Sequence, residues 1–528
     1  MRKKRTLAAL LALCLVLVLV LPGCQGQEEQ DAYYASLMAQ RAEQLPEEPE
    51  PGTWRYLNME PEPGDTLQGE VIIRGLWEGN GYLLADLSKE FMLQHPAVKI
   101  TLDWEQSFMD GINAGAEVNR TVKQAFQEEL YLTMATGTAD YVFFDEGEID
   151  LDVATLSTSG ALEDFGPYLR EGFPEGFFYE DVLKAFQVDG RQTVLPVSFY
   201  YLSVAFDQER LEGIGVDPAA VDKVSTTQVM DWYEEALELD PELGLFFNSP
   251  RVDQMFDLER TAYMDLIGRT CTFASEPFVK YLTQLLDIQN EEPRLDDGLA
   301  GSSGIDYFSV YQLYQHTGNL RGDYQGLVND PNPMYDGTRE MVKIFYDAKP
   351  ALAVLDWARP HSVLTQWQPL DYLAGPYPLT NSKGEIGVAT SESFLMPSSM
   401  QNKDLAWEFI KYCVGEREDP RVYGNGPPHY YTPYFPINRY NLATMAEDVT
   451  NGEGLGSTNA PFDTGIYGMD PQLYIDAVEE LFTGPMVPVE YYEIDTQEFI
   501  DEMILQHFIT PEECAEKIQG RATLQLNE

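Results

Sequence analysis

The stretch Leu195–Asp207, which reads LPVSFYYLSVAFD, decides how the rest of the chain is arranged. Its aromatic and β-branched residues favour a strand. Pro196 fits only at the start or the edge of that strand, because proline has no backbone N–H to donate. Tyr200 and Tyr201 are adjacent, so their side chains point to opposite faces and cannot both enter one core. We therefore predict a strand that crosses between two lobes, with one of the two phenols in the cleft between them.

Strand and helix patterns alternate before this stretch. Val71–Ile73, Val98–Trp104 and Tyr141–Phe144 have the composition of buried strands, and the residues between them repeat apolar side chains at helical spacing. This alternation predicts a parallel sheet with helices on both faces. Ligands of such sheets bind beyond the carboxyl ends of the strands. The candidate residues at these ends are Trp77, Glu78, Asp145 and Glu146.

The sequence after the crossing strand predicts further helices and two more strands. A strand at Ala351–Leu355 is expected to stop at Asp356 and Trp357, and another is expected over Gly384–Met396, with Glu392 near its middle. Helices are predicted at Val229–Leu237, Phe256–Ile267, Pro277–Ile288, Leu405–Tyr412, Tyr474–Phe482, Gln497–His507 and Pro511–Leu526. Both halves of the chain thus mix the two kinds of element, which is typical of the α/β class.

The N-terminus predicts an export signal followed by a tether. Four basic residues, Arg2 to Arg5, precede an apolar run from Leu7 to Leu21, which is shorter than the roughly 20 residues of a membrane-spanning helix. The run ends in LPGC at 21–24, which resembles a bacterial lipobox, so that Cys24 would receive diacylglycerol. Residues 24–68 are rich in Glu, Gln and Pro, and such a segment cannot bury a core.

The composition argues against several function classes. The formal net charge is −53, from 34 Lys and Arg and 87 Asp and Glu residues, so a polyanion such as nucleic acid would be repelled. Cys271, Cys413 and Cys514 are odd in number and widely spaced, which predicts neither a disulfide framework nor a metal site, although one pair stays open. The length of 528 residues allows about two to four domains.

Several motifs follow one another in an order that is typical of one protein family. They are ATGTADYV at 135–142, SGALEDF at 159–165, DGRQTVLP at 189–196, MPSSMQNKDLAWEFI at 396–410, YFPIN at 434–438, and a final segment from TPEECA to LNE at 510–528. Ala139 stands where the family has proline, and Asp207 where it has asparagine. In this order the motifs resemble the extracellular solute-binding proteins of ABC importers, in the sugar-binding, maltose-binding-protein-like branch.

The resemblance implies an α/β fold of the two-lobed, type II periplasmic-binding-protein-like class, each lobe a mainly parallel sheet flanked by helices, with the ligand cleft between the lobes. The expected division is 69–196 and 384–420 for lobe 1, and 197–383 and 421–528 for lobe 2. The implied function is capture of a carbohydrate, an oligosaccharide, by hinge closure and its delivery to an ABC importer permease. We further expect a monomer, lipid-anchored at the outer face of the bacterial cytoplasmic membrane, without enzymatic activity, metal or cofactor.

The resemblance also assigns individual residues to the ligand site. Aromatic rings stack on the C–H-rich faces of sugars, and carboxylates accept hydrogen bonds from sugar hydroxyls. Tyr200 occupies the crossing position, and Trp357 follows a strand where the family has a sugar-stacking tryptophan. Tyr491 and Tyr492 match a C-terminal aromatic pair. The expected set is completed by the strand-end residues Trp77, Glu78, Asp145 and Glu146.

Other functions stay open at the level of sequence. The same fold could bind a peptide or a polyamine, which would suit the acidic candidates, or it could act as a sensor for a membrane kinase. A surface glycosidase would need a carboxylate pair such as Asp145 and Glu146. Adjacent residues point apart, however, and the sequence shows no Ser/His/Asp or Cys/His set among its five histidines. The carbohydrate-binding hypothesis is therefore preferred.

Overall fold

The computed structural model describes residues 63–76, 83–105, 116–145, 149, 151–241, 243–246, 252–291, 351–358, 373–390, 392–416, 421–422, 429–430, 434–451, 470–489, 496–504 and 506–527. The predicted export signal, Cys24 and the tether up to residue 62 lie outside these ranges. Within them, no helix combines the length and the apolar character needed to cross a membrane.

The first part of the chain confirms the predicted alternation of strand and helix. Its elements are β1 (Gly69–Gly75), α1 (Leu83–Gln94), β2 (Val98–Trp104), α2 (Ala116–Ala135), β3 (Val142–Asp145), α3 (Val153–Thr158), α4 (Phe165–Gly172), α5 (Glu180–Ala185), β4 (Leu195–Pro196) and β5 (Ser198–Asp207). Strand β1 pairs in parallel with both β2 and β3. Helix α2 is followed by Gly137, whose φ of +68° lies in the left-handed region that glycine adopts without strain.

In the middle part of the chain, strand pairing explains two differences from the predicted element ends. Its elements are α6 (Gln208–Gly213), a 3₁₀ turn (Pro218–Ala220), β6 (Val224–Ser225), α7 (Thr226–Leu239), β7 (Gly244–Phe246), α8 (Val252–Thr261), β8 (Met264–Asp265), β9 (Thr270–Cys271), α9 (Glu276–Glu291), β10 (Ala351–Ala358) and β11 (Leu373–Thr380). Helix α8 ends before the predicted Ile267, because β8 and β9 pair as a short hairpin. Strand β10 continues through Trp357, because β5 runs beside it as far as the pair Ala358 and Tyr201.

The last part of the chain divides one predicted strand into two. Its elements are β12 (Ile386–Ala389), β13 (Ser393–Leu395), α10 (Lys403–Val414), β14 (Arg421–Val422), β15 (His429–Tyr430), β16 (Phe435–Pro436), α11 (Arg439–Asn451), α12 (Pro471–Leu481), β17 (Met486–Pro488), α13 (Gln497–Ile504) and α14 (Pro511–Gln525). The predicted strand Gly384–Met396 is interrupted around Thr390 and Glu392. The reason is that β12 joins β11, β5 and β17, whereas β13 joins β3 and β4 in another sheet.

The described strands confirm the α/β class and form two main sheets. The first sheet has the order β2-β1-β3-β13-β4 and is mainly parallel, as predicted. The second has the order β17-β12-β11-β5-β10-β7, and its pairs β10–β7, β11–β6 and β12–β17 are parallel. Strand β5 runs antiparallel to β10, β11, β12 and β16, as β13 does to β3 and β4 in the first sheet. The tight turn at Asn381–Gly384 makes β11 and β12 antiparallel where they meet, because strands joined by a hairpin must be antiparallel.

Two clusters of buried apolar side chains underlie these sheets, and the chain contributes to each of them twice. The first core contains residues from Val71 to Tyr201 and from Ile386 to Phe482. The second core contains residues from Leu202 to Leu379 and from Val489 to Ala522. Among the described residues, the chain therefore changes core three times. The described buried apolar residues between Phe435 and Phe482 pack in the first core, whereas the expected division assigned all of 421–528 to lobe 2.

The three cysteines of the body are described, and none of them forms a disulfide. Cys413 and Cys514 are buried, and Cys271 is partly exposed. Burial raises the pKa of the Cys514 thiol to about 12, so it stays protonated and unreactive. The pairing that the sequence left open is therefore not formed.

Candidate functional site

The candidate site is built on β5, the strand that contacts both cores. Phe199 and Tyr201 pack in the first core, and Leu202, Val204 and Phe206 pack in the second. Because side chains alternate along a strand, the two sets point to opposite faces. The change of core after Tyr201 is therefore also a change of face, which makes β5 a shared wall of both cores.

The two adjacent tyrosines of β5 have different surroundings, as the alternation predicts. Tyr201 is 1% exposed, and its burial raises the pKa of its phenol. Tyr200 is partly exposed, and its ring lies against that of Tyr434, with the ring centroids 4.7 Å apart and the planes tilted by 31°. The backbone of Tyr200 pairs with that of Ala389 in β12. Tyr200 is thus the phenol of this pair that is accessible to a ligand.

Tyr434 is a site residue that the sequence reasoning missed. It lies in the YFPIN motif and precedes β16, whose Phe435 pairs with Phe199 of β5. This pairing brings a second, partly exposed ring beside Tyr200. The motif marked the segment, but no local signal showed that it joins β5. Together, Tyr200 and Tyr434 form what we call the aromatic pair.

Asp145 lies at the carboxyl end of β3, where the sequence predicts a ligand residue. Its backbone partner is Ser393 of β13, and Ser393 in turn is opposite Pro196 of β4. Asp145 is 7% exposed, so its carboxylate is mostly buried against the edge of the first sheet. Pro196 and Tyr200 are four residues apart, which limits their separation to about 14 Å. Asp145 and the aromatic pair therefore flank the same two segments, 196–200 and 389–393, where the chain passes between the two main sheets. We call these the crossing segments.

A buried polar cluster lies between these two features and was not assigned from the sequence. Glu392 is 1% exposed, and it accepts a short hydrogen bond from the Ser198 hydroxyl. The Oγ1 of Thr390 lies 2.7 Å from the carbonyl oxygen of Ser198 and 2.8 Å from that of Glu392. The backbone N–H of Val197 donates to the carbonyl oxygen of Glu392 at 2.8 Å. Its one sequence signal is the polar run TSES at 390–393 within an apolar strand pattern.

Of the six remaining predicted site residues, the structure describes only the backbone of Trp357. The backbone of Trp357 lies inside β10 and pairs with Leu202 of β5. Five predicted residues lie outside the described ranges, namely Trp77, Glu78, Glu146, Tyr491 and Tyr492. Their assignment to the ligand site stays a prediction. In the described part of the chain, no three His, Cys, Asp or Glu side chains are grouped as metal ligands.

Comparison with known proteins found similar solved structures, whereas no family model and no curated protein matches the chain. A family 1 extracellular solute-binding protein from Alicyclobacillus acidocaldarius has 14% identity and a TM-score of 0.48, covering 88% of this chain and 100% of its own. An ABC substrate-binding protein from Listeria monocytogenes, in complex with cycloalternan, has 12% identity and a TM-score of 0.44, covering 87% and 100%. A cyclic alpha-maltosyl-1,6-maltose binding protein from Arthrobacter globiformis has 10% identity and a TM-score of 0.45, covering 87% and 99%.

The first two of these structures are described as an extracellular solute-binding protein and an ABC substrate-binding protein. Their identities and TM-scores are too low to transfer any residue role or ligand to this chain. The fold stated above therefore rests on the strand pairing and the cores of this chain itself.

Proposed function

We propose that this chain is a lipid-anchored extracellular solute-binding protein that captures an oligosaccharide by hinge closure and delivers it to an ABC importer permease. The observation that carries the proposal is the aromatic pair, partly exposed on the strand that two cores share. Ring faces at such a position offer a stacking surface for sugar rings. The motif order of the sequence supports the transporter assignment, and the LPGC motif supports the anchor at Cys24.

Hinge closure is supported by the way the chain connects the two cores. Three connections join them, and ligand contacts to both sides favour the closed form because the open form cannot make all of them. The alternative of a glycosidase is disfavoured by the described carboxylates of this region. Asp145 and Glu392 are 7% and 1% exposed, and Glu392 already accepts the Ser198 hydroxyl. Glu392 is therefore not available as the second carboxylate that a glycosidase with Asp145 as its acid would need.

The test is a thermal-shift screen of the purified protein against linear and cyclic oligosaccharides, followed by calorimetric titration of any that stabilise it. A ligand present at 100 times its Kd raises the free energy of unfolding by about 2.7 kcal/mol, which is easily detected. Tyr200→Ala and Tyr434→Ala should each weaken the hit about tenfold, because each removes one stacking surface. Stabilisation by polyamines or peptides, but by no sugar, would contradict the carbohydrate assignment.

A matched control separates stacking from folding. Tyr440 is an exposed aromatic residue of α11 whose ring packs beside Phe177, with the centroids 5.0 Å apart. Tyr440→Ala should change the melting temperature without changing the affinity. Release of reducing ends from any glycan during these titrations would support an enzyme instead.

A further inference from the structure

The buried polar cluster around Ser198 and Glu392 links two distant segments of the chain. Glu392 and Ser198 are separated by 194 positions, and both side chains are almost fully buried. An ionised carboxylate is costly to bury unless it is hydrogen-bonded. The hydroxyl of Ser198 supplies such a bond, so the two segments stabilise each other at this point.

Backbone and threonine contacts strengthen the same link. Val197 donates its N–H to Glu392 and accepts the N–H of Ile437 at 3.1 Å, which adds the segment that follows Tyr434. The Thr390 hydroxyl lies within hydrogen-bond distance of a carbonyl oxygen on each of the two segments. A hydroxyl has one proton to donate, so it bonds one of them at a time or shares its proton between them. We call Ser198, Thr390 and Glu392 the clasp.

The clasp lies between the two described candidate ligand residues. On one side, Ser393 follows Glu392 directly and pairs with Asp145. On the other side, Ala389 precedes Thr390 directly and pairs with Tyr200. A shift of the 390–392 segment would therefore change the placement of Tyr200 relative to Asp145, although no clasp side chain is exposed to a ligand.

We infer that Ser198, Thr390 and Glu392 are positioning residues, which hold the crossing segments in register and so fix Tyr200 relative to Asp145. The inference rests on the proposed function for its effect on ligand affinity. Its effect on the crossing segments does not need a ligand.

A second pair with the same chemistry provides the control. Thr226 donates its hydroxyl to Oε2 of Glu259 at 2.5 Å, and both residues are fully buried. They are 33 positions apart and join α7 to α8 on the side of the second core. Thr226→Val thus removes the hydroxyl that donates to a buried glutamate, as Ser198→Ala does, but this pair joins two helices and contains no residue of the 195–202 or 388–396 segments.

The first measurement is amide hydrogen exchange of the purified protein without ligand, followed on peptides that cover 195–202, 388–396 and 434–440. Ser198→Ala should speed exchange in these peptides about tenfold, as expected for the loss of one buried hydrogen bond. Ser198→Thr keeps the hydroxyl and should restore protection. Thr226→Val should leave these peptides unchanged while lowering the melting temperature. Equal effects of Ser198→Ala and Thr226→Val on these peptides, or none from Ser198→Ala, would overturn the inference.

The second measurement is a calorimetric titration with maltotetraose. Ser198→Ala should weaken binding about tenfold if the lost hydrogen bond lets Tyr200 move, whereas Ser198→Thr and Thr226→Val should stay within about twofold. An unchanged affinity in Ser198→Ala would contradict the positioning role. If the unsubstituted protein binds neither maltotetraose nor the other sugars of the screen, the proposed function fails, and the exchange data alone decide whether the clasp holds the segments.

Discussion

Two buried glutamates of this protein accept hydroxyl hydrogen bonds but join different parts of the fold. Glu392 bonds Ser198 where the chain passes between the two main sheets, whereas Glu259 bonds Thr226 between two helices beside the second core. Both residues are 1% exposed or less. Equal burial and equal chemistry therefore do not imply equal roles. What differs is the set of elements that each pair connects, and only the first pair includes a residue of the strand that contains Tyr200.

The largest expected effect on stability comes from breaking the pair at the crossing. Ser198→Ala should lower the free energy of unfolding by about 2–3 kcal/mol, because a buried carboxylate loses a hydroxyl donor. Thr226→Val should cost about 1–2 kcal/mol, because Glu259 keeps the N–H of Ser382 at 2.9 Å and the pair joins only two helices 33 positions apart. Urea unfolding of both variants measures the difference. A larger loss in Thr226→Val would reverse the comparison.

The pH dependence of stability should distinguish Glu259 further. Burial raises the pKa of Glu259 in the folded protein, with hydrogen bonds from Thr226 and Ser382 opposing the rise. A raised folded pKa means that this group contributes most to stability below its unfolded pKa, near 4.3, and that the contribution is lost as pH rises through the folded value. Glu259→Gln should therefore gain stability relative to the unsubstituted protein on going from pH 5 to pH 8.

Melting temperatures of both proteins across that range provide the measurement. Titration of the other carboxylates affects both proteins equally, so the difference between the two melting curves reports on Glu259 alone. A difference that does not vary with pH would show that Glu259 does not titrate there.

A smaller effect should separate two buried tyrosines of the two cores. The hydroxyl of Tyr201, in the first core, has no hydrogen-bond partner among the described residues. The hydroxyl of Tyr233, in the second core, donates to the carbonyl oxygen of Leu243 at 2.8 Å. Tyr201→Phe should stabilise the protein by up to about 1 kcal/mol, whereas Tyr233→Phe should destabilise it by about 1 kcal/mol. Denaturant midpoints of the two variants should move in opposite directions.

The smallest effect is expected at a helix end that is remote from the crossing. Thr510 and Glu513 form a capping box at the start of α14, with the N–H of Thr510 donating to Glu513 at 3.0 Å. Thr510→Ala should cost about 1 kcal/mol of stability. The exchange rates of the crossing peptides should not change. A change there would mean that any loss of stability loosens the crossing, which would weaken the special role of Ser198.

The local elements could be predicted from the sequence, because their patterns are contained within short windows. The strand Val98–Trp104 has the predicted bounds, and the opposite environments of Tyr200 and Tyr201 follow from strand alternation alone. The break near Thr390 could not be predicted. The segment 384–396 is apolar on both sides of the polar run TSES and has the composition of one strand, and nothing within it tells that its two halves join different sheets.

Contacts between distant segments could not be predicted from the sequence for a related reason. The bond between Ser198 and Glu392 and the contact between Tyr200 and Tyr434 depend on segments about 190 and 230 positions apart, and single-sequence patterns contain no information on which segments meet. The assignment of all of 421–528 to the second lobe differs from the structure for the same reason. The described buried residues between Phe435 and Phe482 pack in the first core, and Phe435 does so beside β5, with which β16 pairs.

The repeated change of core has a consequence for how the protein folds. Strand β3 pairs with β13, which is synthesised roughly 250 residues later, or roughly 12–50 s at the usual rate of translation. Phe91 of α1 likewise packs against Phe409 of α10, which is synthesised much later, with the ring centroids 5.4 Å apart. The first core is therefore incomplete while the second core is being made, and the second needs α14 from the end of the chain. Neither core can finish ahead of the other, so we expect one cooperative unfolding transition for both.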